Sequence, residues 1–391
     1  MRILILNCAY DSRFTTPADL LNRYTTLTGW SDALMAEGAS RVSVLQRFGS
    51  DARVQRSGVE YCFCRVTAGD WPRQLQQMVA AVDPDIVHVN GLIFPWQTWW
   101  LRRVLPARTG IVIQDHGGAE PGRHPVRWLI RRIGLSAADA FLFSALDLAQ
   151  PWQTSRLIAP RQRVHAVMES STSMRPLPHD SARVISGVMG NPALLWVGRL
   201  NANKDPLTVL DGFELALPHL PDAHLTVVYS SDEWLPQVKA RIARSASLTA
   251  HVHLRGSIAY AQLAAFYSAA DLFVLGSHRE GSGYALIEAL ACGATPIVTD
   301  IPSFRAITAD GVLGTLWPVG DSTAFADALI RCTERRPTAL RADNLNHFER
   351  ELSWPVIGRR ALAAYADVLT QRARRLRGST DSPSAAPPCL R

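Results

Sequence analysis

Ala270-Asp271-Leu272-Phe273-Val274-Leu275 leads through Ser277-His278-Arg279-Glu280-Gly281-Ser282-Gly283-Tyr284 into Ala285-Leu286-Ile287-Glu288-Ala289-Leu290-Ala291-Cys292-Gly293. The first segment is a short, continuously apolar strand, the second a loop of small residues, and the third the start of a helix. A small-residue loop entering a helix leaves backbone N–H groups unpaired and aligned with the positive end of the helix dipole, a site suited to phosphate. Glu280 and Glu288 bracket the Gly-Ser-Gly turn. Carboxylates repel phosphate, so they are expected to face uncharged, hydroxyl-rich groups such as a ribose or a hexose, whose vicinal diols donate two hydrogen bonds to one carboxylate.

The same unit recurs outward from this point. Strands are expected at Ala193–Arg199, Ala223–Tyr229, Val252–Leu254 and Thr295–Thr299, with a helix at Pro206–Leu217. In the first half they fall at Ile3–Leu6, Arg41–Gln46, Asp85–Val89, Gly110–Gln114, Ala140–Phe143 and Arg163–Val167, with a helix through Leu20–Glu37. Short apolar strands alternating with helices imply parallel sheets covered on both faces. The 391 residues suit two domains of roughly 180 each. The expected layout is an α/β chain of two doubly wound domains facing across a cleft: 1–170, a Pro- and Ser-bearing linker at 171–190, 191–353, a helix at 354–378 crossing back to the first domain, and a disordered tail at 379–391.

Hydrophobic content is 47%, and no run approaches the length of a membrane-spanning helix. The N-terminal apolar run reads as a buried strand, which places the protein in the cytoplasm, with the inner face of the membrane as a secondary location. Six cysteines show no CxxC pair or disulfide rhythm, so reduced thiols and no metal are expected, even with Cys62 and Cys64 on one strand face. Net charge is +7 with pI near 9.3. Arginines gather at Arg102-Arg103, at Arg123 to Arg132 around Trp128, and at Arg372 to Arg377, with Trp96, Trp99 and Trp100 beside the first group. Such helices fit either a membrane-surface face or a solvated face with its tryptophans in the core, and the second reading is preferred. Nucleic acid is not an expected partner.

The loop Gly198-Arg199-Leu200-Asn201-Ala202-Asn203-Lys204-Asp205-Pro206 follows the first strand of the second domain. Two cations five residues apart, a glycine that admits close approach and a proline opening the next helix form a pocket for a diphosphate; a solvated basic loop is the alternative. Gln114-Asp115-His116-Gly117-Gly118 ends another strand. Asp83-Pro84-Asp85 reads as a turn, and Ser136 and Ser144 lack the Gly-x-Ser-x-Gly elbow of serine hydrolases.

On the Gly-Arg-Leu-x3-Lys loop, the Glu-x7-Glu segment and the order of elements between them, the chain resembles the retaining GT-B glycosyltransferases of family 4, closely over 190–370 and loosely in the N-terminal half. The resemblance implies transfer of a hexosyl group from a nucleoside diphosphate sugar to a hydroxyl acceptor, a saccharide or lipid-linked glycan, with retention and without metal or other cofactor. It implies that Arg199 and Lys204 neutralise the diphosphate and that Gly198, Ser282, Gly283 and Tyr284 help hold it. Glu288 would take the ribose, Glu280 the sugar, and His116 would approach the donor sugar. The alternatives are a loop cap for Glu280, a helix-face partner of an arginine for Glu288 and a structural histidine for His116. Where many members carry a Gly-Gly pair after the first strand, this chain has Asn7-Cys8-Ala9-Tyr10-Asp11-Ser12-Arg13. Arg13 would supply charge there, and His88 and Asn90, at the end of their strand, would touch the acceptor, with a core histidine an equal reading of His88. Two other readings compete: a catalytically silent scaffold binding nucleotide, anionic lipid or a partner, and, more weakly, a sugar-nucleotide epimerase.

Overall fold

The computed structural model describes residues 1–65, 71–117, 121–122, 124–334 and 337–380. Residues 1–169 and 357–391 form one unit and residues 170–356 the other. The expected disordered tail, together with Cys389, lies outside the described residues from 381 onward, and Gly118 and Arg123 also lie outside them.

The first unit is built on a sheet of β1 (Arg2–Asn7), β2 (Arg41–Phe48), β3 (Ala52–Arg56), β4 (Val59–Arg65), β5 (Ile86–Asn90), β6 (Gly110–Gln114), β7 (Ala140–Phe143) and β8 (Arg163–Ala166). Their order is β3-β4-β2-β1-β5-β6-β7-β8, all parallel except the β3–β4 hairpin. Ile3 to Leu6 at the centre are fully buried, as a strand covered on both faces requires. The hairpin was not expected, although Ser57-Gly58 signals it. Both residues take positive φ, 52° and 79°, the combination that a two-residue turn between right-twisted strands needs. The single helix expected over Leu20–Glu37 is two, Pro17–Arg23 and Thr25–Ala36. Thr16 caps the first by accepting from the Asp19 N–H, and Tyr24 leaves the helical region between them.

The second unit carries β9 (Ala193–Gly198), β10 (His224–Tyr229), β11 (Val252–Gly256), β12 (Leu272–Leu275), β13 (Thr295–Thr299) and β14 (Thr315–Trp317), ordered β11-β10-β9-β12-β13-β14 and parallel throughout. The order reverses between β9 and β12, and the loops after those two strands leave one edge side by side. Such a switch point is where open parallel sheets take their ligands.

The stretch 171–190, expected as a linker, is built into this second unit. Thr172 and Met174 are buried, the Leu177 N–H donates to Ser268 Oγ (3.0 Å), and Arg183, on the helix His179–Ser186, donates to Asp271 (2.7 Å) and to the Gly190 carbonyl (2.7 Å). Thr172, Arg183 and Ser186 find fixed partners, which a free linker would not offer. The last helix, Trp354–Thr380, packs on the first unit: Tyr365 meets His88, and Arg372 pairs with Asp139 (2.6 Å). No described helix is long and apolar enough to cross a membrane.

Candidate active site

In the second unit the loops after β9 and β12 are joined by backbone. The His278 N–H donates to the Asn203 carbonyl (2.8 Å) and Asn203 Nδ2 to the Arg279 carbonyl (2.9 Å). His278 Nε2 meets Asp205 Oδ2 (3.0 Å), while Asp205 also caps the helix Pro206–Ala216 through the Thr208 N–H (3.2 Å) and hydroxyl (2.7 Å). The basic loop and the Gly-Ser-Gly turn therefore lie beside one another. Lys204 Nζ forms an ion pair with Glu280, both side chains largely shielded. Arg199 is exposed.

Gly283 caps the helix Tyr284–Ala291 with φ 58°, and a Cβ there would lie 2.7 Å from the Phe304 ring. Both conditions exclude a larger residue. Glu288 is only 3% exposed; Tyr267 donates to its Oε2 (2.8 Å), and its Oε1 is buried without a hydrogen-bond partner among the described residues. Burial pushes the Glu288 carboxyl up to about 7, against the stabilising hydroxyls of Tyr267 and Tyr260. The Tyr260 hydroxyl in turn meets those of Tyr284 (3.2 Å) and Thr172 (3.1 Å). Among the described residues no arginine partners Glu288, and tyrosine hydroxyls stand near it. Ser282 lies half-buried in the turn, and Gly198 sits 3.1 Å, at its notional Cβ, from the Trp196 ring.

In the first unit, His116 follows β6 with Nε2 at 3.2 Å from Asn90 Oδ1 and Nδ1 against the Glu169 carboxylate. Glu169 and the Asn90 oxygen both face ring nitrogens, an arrangement that favours the protonated ring. Burial pulls the His116 pKa down, but Glu169 and Asp115 outweigh it and the net shift is upward. Burial and the Glu169 charge push the Asp115 carboxyl up to about 6. Asn90 Oδ1 also faces His88 Nε2 (3.0 Å). Beside this cluster lies a cavity of about 290 Å³ whose walls include Tyr24, Trp30, Phe94, Asn7 and His116.

His88 takes the core reading of its two, and the expectation for Arg13 is corrected. His88 does not reach the cavity surface: it is fully buried between Trp30 and Tyr365, burial pulls its pKa down to about 3, and its neutral ring accepts from the Tyr365 hydroxyl (2.7 Å) while orienting Asn90. Arg13 does not supply free charge. Its guanidinium is paired with Asp11 (2.6 Å), which also accepts from Tyr24 (2.8 Å).

The sequence reading missed Glu169, Tyr260 and Tyr267. Glu169 falls at the end of the first expected domain, where nothing local signals a histidine partner, and two tyrosines on a helix carry no signal of the carboxylate they will meet. Asp205 was also not read as a cap, although it precedes the proline that opens a helix.

Two parallel-sheet α/β units of this kind define the GT-B fold class. HepE of Anabaena, solved with UDP, superimposes with a TM-score of 0.70 at 16% identity, over 94% of this chain and 100% of that one. Residues 181–345 match the family described as Glycosyl transferases group 1, and this segment contains both loops. Among curated relatives, phosphatidyl-myo-inositol mannosyltransferase of Mycobacterium leprae is 27% identical over 232 residues, 57% of this chain and 58% of the relative. D-inositol 3-phosphate glycosyltransferase of Xylanimonas cellulosilytica is 28% identical over 257 residues, 62% and 59%. The chain thus spans less than two thirds of the length of these relatives.

Proposed function

We propose that this protein is a hexosyltransferase that moves a sugar from a nucleoside diphosphate donor to a hydroxyl acceptor with retention of configuration and without metal. The observation that carries this reading is the group formed within the matched segment: exposed Arg199, the Lys204–Glu280 pair and buried Glu288 with an unpartnered oxygen, all around the loops of one sheet edge. A diphosphate entering beside Arg199 competes with Glu280 for Lys204. As Lys204 turns to the phosphate, Glu280 is released to accept from a hydroxyl of the sugar, so binding the donor exposes the group that reads it. Glu288 Oε1 takes the ribose diol, and those hydrogen bonds favour its ionised form. In the reaction, cations and the N–H groups of Gly283 and Tyr284 stabilise charge moving onto the leaving diphosphate. The acceptor is a saccharide or lipid-linked glycan; one relative is named for a lipid acceptor, phosphatidyl-myo-inositol.

The test is a thermal-shift screen of UDP-, GDP- and ADP-sugars, followed by assay of donor hydrolysis and of the anomeric configuration of the product. Turnover that disappears in Lys204→Ala and Glu280→Ala supports the proposal. Donor binding without turnover on any acceptor would instead make the chain a silent scaffold.

A further inference from the structure

Helix Pro125–Leu135 turns apolar residues toward solvent. Val126, Leu129 and Ile133, spaced three and four apart and so on one face, are 58%, 52% and 40% exposed. In an ordinary surface helix that row would face the core. Here Gly134 and Leu135 are buried, and Trp128 packs against the core while donating to the Ser155 carbonyl (2.8 Å). Helix Pro95–Val104 behaves alike: Trp96 and Trp100, four apart, are 50% and 37% exposed, with Ile93 just before them at 55%. The tryptophans expected in the core are therefore partly outside it. The two helices touch where a Cβ on Gly134 would lie 2.2 Å from the Pro95 carbonyl oxygen, so Ile133 and Trp96 each stand one residue from the contact.

Charge accompanies this apolar surface. Neither helix contains Asp or Glu, and together they carry Arg102, Arg103, Arg127, Arg131 and Arg132. Arg102 donates to the carbonyls of Thr109 (3.0 Å) and Pro106 (2.8 Å), Arg132 to that of Arg156, and Arg103 lies 3.2 Å over the Trp99 ring. A carbonyl fixes Arg132 and a ring fixes Arg103 without cancelling their charge, whereas Arg102 also faces Asp139 Oδ2 at 4.0 Å. Exposed tryptophans and aliphatic residues among arginines match the layered chemistry of a bilayer surface, with apolar groups entering the headgroup boundary and cations meeting lipid phosphates.

We infer that the Pro95–Val104 and Pro125–Leu135 helices form a docking face for an anionic phospholipid bilayer. It is a peripheral contact, independent of the donor site. The experiment is co-sedimentation of the full chain with vesicles of phosphatidylcholine alone and of phosphatidylcholine mixed with phosphatidylglycerol. Binding is expected only to the mixed vesicles and is weakened by salt. Val126→Glu combined with Leu129→Glu lowers partition by more than about tenfold, and Arg127→Ala by about fivefold, the worth of one basic residue at such a surface. Melting temperature and hydrolysis of soluble donor stay at wild-type values in both, which separates this proposal from that of the donor site. Equal partition onto both vesicle types, or wild-type partition by the Val126/Leu129 variant, overturns it. So does concentration-dependent self-association that the same variant abolishes without vesicle binding, because the face then belongs to a second copy of the chain.

Discussion

The two units end their strands in opposite electrostatic settings. After β9 stand Arg199 and Lys204 and after β12 Arg279, with Lys204 paired to Glu280 and a buried acid behind them. After β6 in the first unit a histidine is held between Asn90 and Glu169, with Asp115 next to it and the nearby arginine tied to its own aspartate. The first setting suits a polyanion and the second does not. Two similar folds thus differ in the charge their strand-end loops present, through a handful of residues, while the sheets that carry those loops are built alike.

The largest effect that can break this contrast is at Lys204. Lys204→Ala is expected to slow donor turnover by about 10²–10³-fold, the scale of losing one preorganised charge at a developing anion, and steady-state hydrolysis measures it. Wild-type turnover in that variant would leave the second unit without its distinguishing cation.

Glu288→Gln comes next. Loss of a charged acceptor is expected to weaken donor binding by about tenfold or more, read by calorimetry. It also carries a pH signature. The folded carboxyl titrates near 7, above its ordinary value of 4.5, so the folded state holds a proton that the unfolded state has lost between those values. Stability accordingly falls as pH rises through that window, by about 3 kcal/mol in total, and the glutamine variant escapes this fall. Thermal melts of both proteins at pH 5 and pH 8 should show the variant gaining on wild type at the higher pH.

Gly283→Ala tests the geometry beneath the charge. Positive φ and the Phe304 ring together should cost about 1–3 kcal/mol, measured by denaturant unfolding.

In the first unit, Glu169→Gln should lower the His116 pKa, followed by NMR titration. In wild type the raised value contributes stability below the ordinary histidine pKa and loses it as pH rises through the shifted one; the variant should lack that dependence. The smallest expected effect is at Arg13. Because Arg13 itself is exposed and Asp11 keeps its hydrogen bond from Tyr24, Arg13→Ala should leave both melting temperature and donor affinity unchanged.

Much of the scaffold was legible because its signals are local. Continuous apolar runs such as Leu272–Leu275 and Ile3–Leu6 specify doubly covered parallel strands, and Pro206 marks a helix start. The Ser57-Gly58 hairpin was equally local and was overlooked. The linker was misread because a polar, proline-bearing composition describes both a tether and a segment stitched into a domain. Trp96 and Trp100 were misplaced because amphipathic spacing leaves open which face turns inward.

By itself the sequence determined that the chain alternates strands and helices, and it determined which residues stand in the loops at strand ends. The partners of those residues were decided only by tertiary structure. Lys204 and Glu280 are 76 positions apart and His88 and Tyr365 are 277 apart. Sheet order brings such groups together, and sheet order is fixed by long-range packing that no local pattern encodes. Burial follows from the same packing: it made His88 a neutral core residue, left Glu288 holding its proton near neutrality, and turned Val126, Leu129 and Ile133 outward.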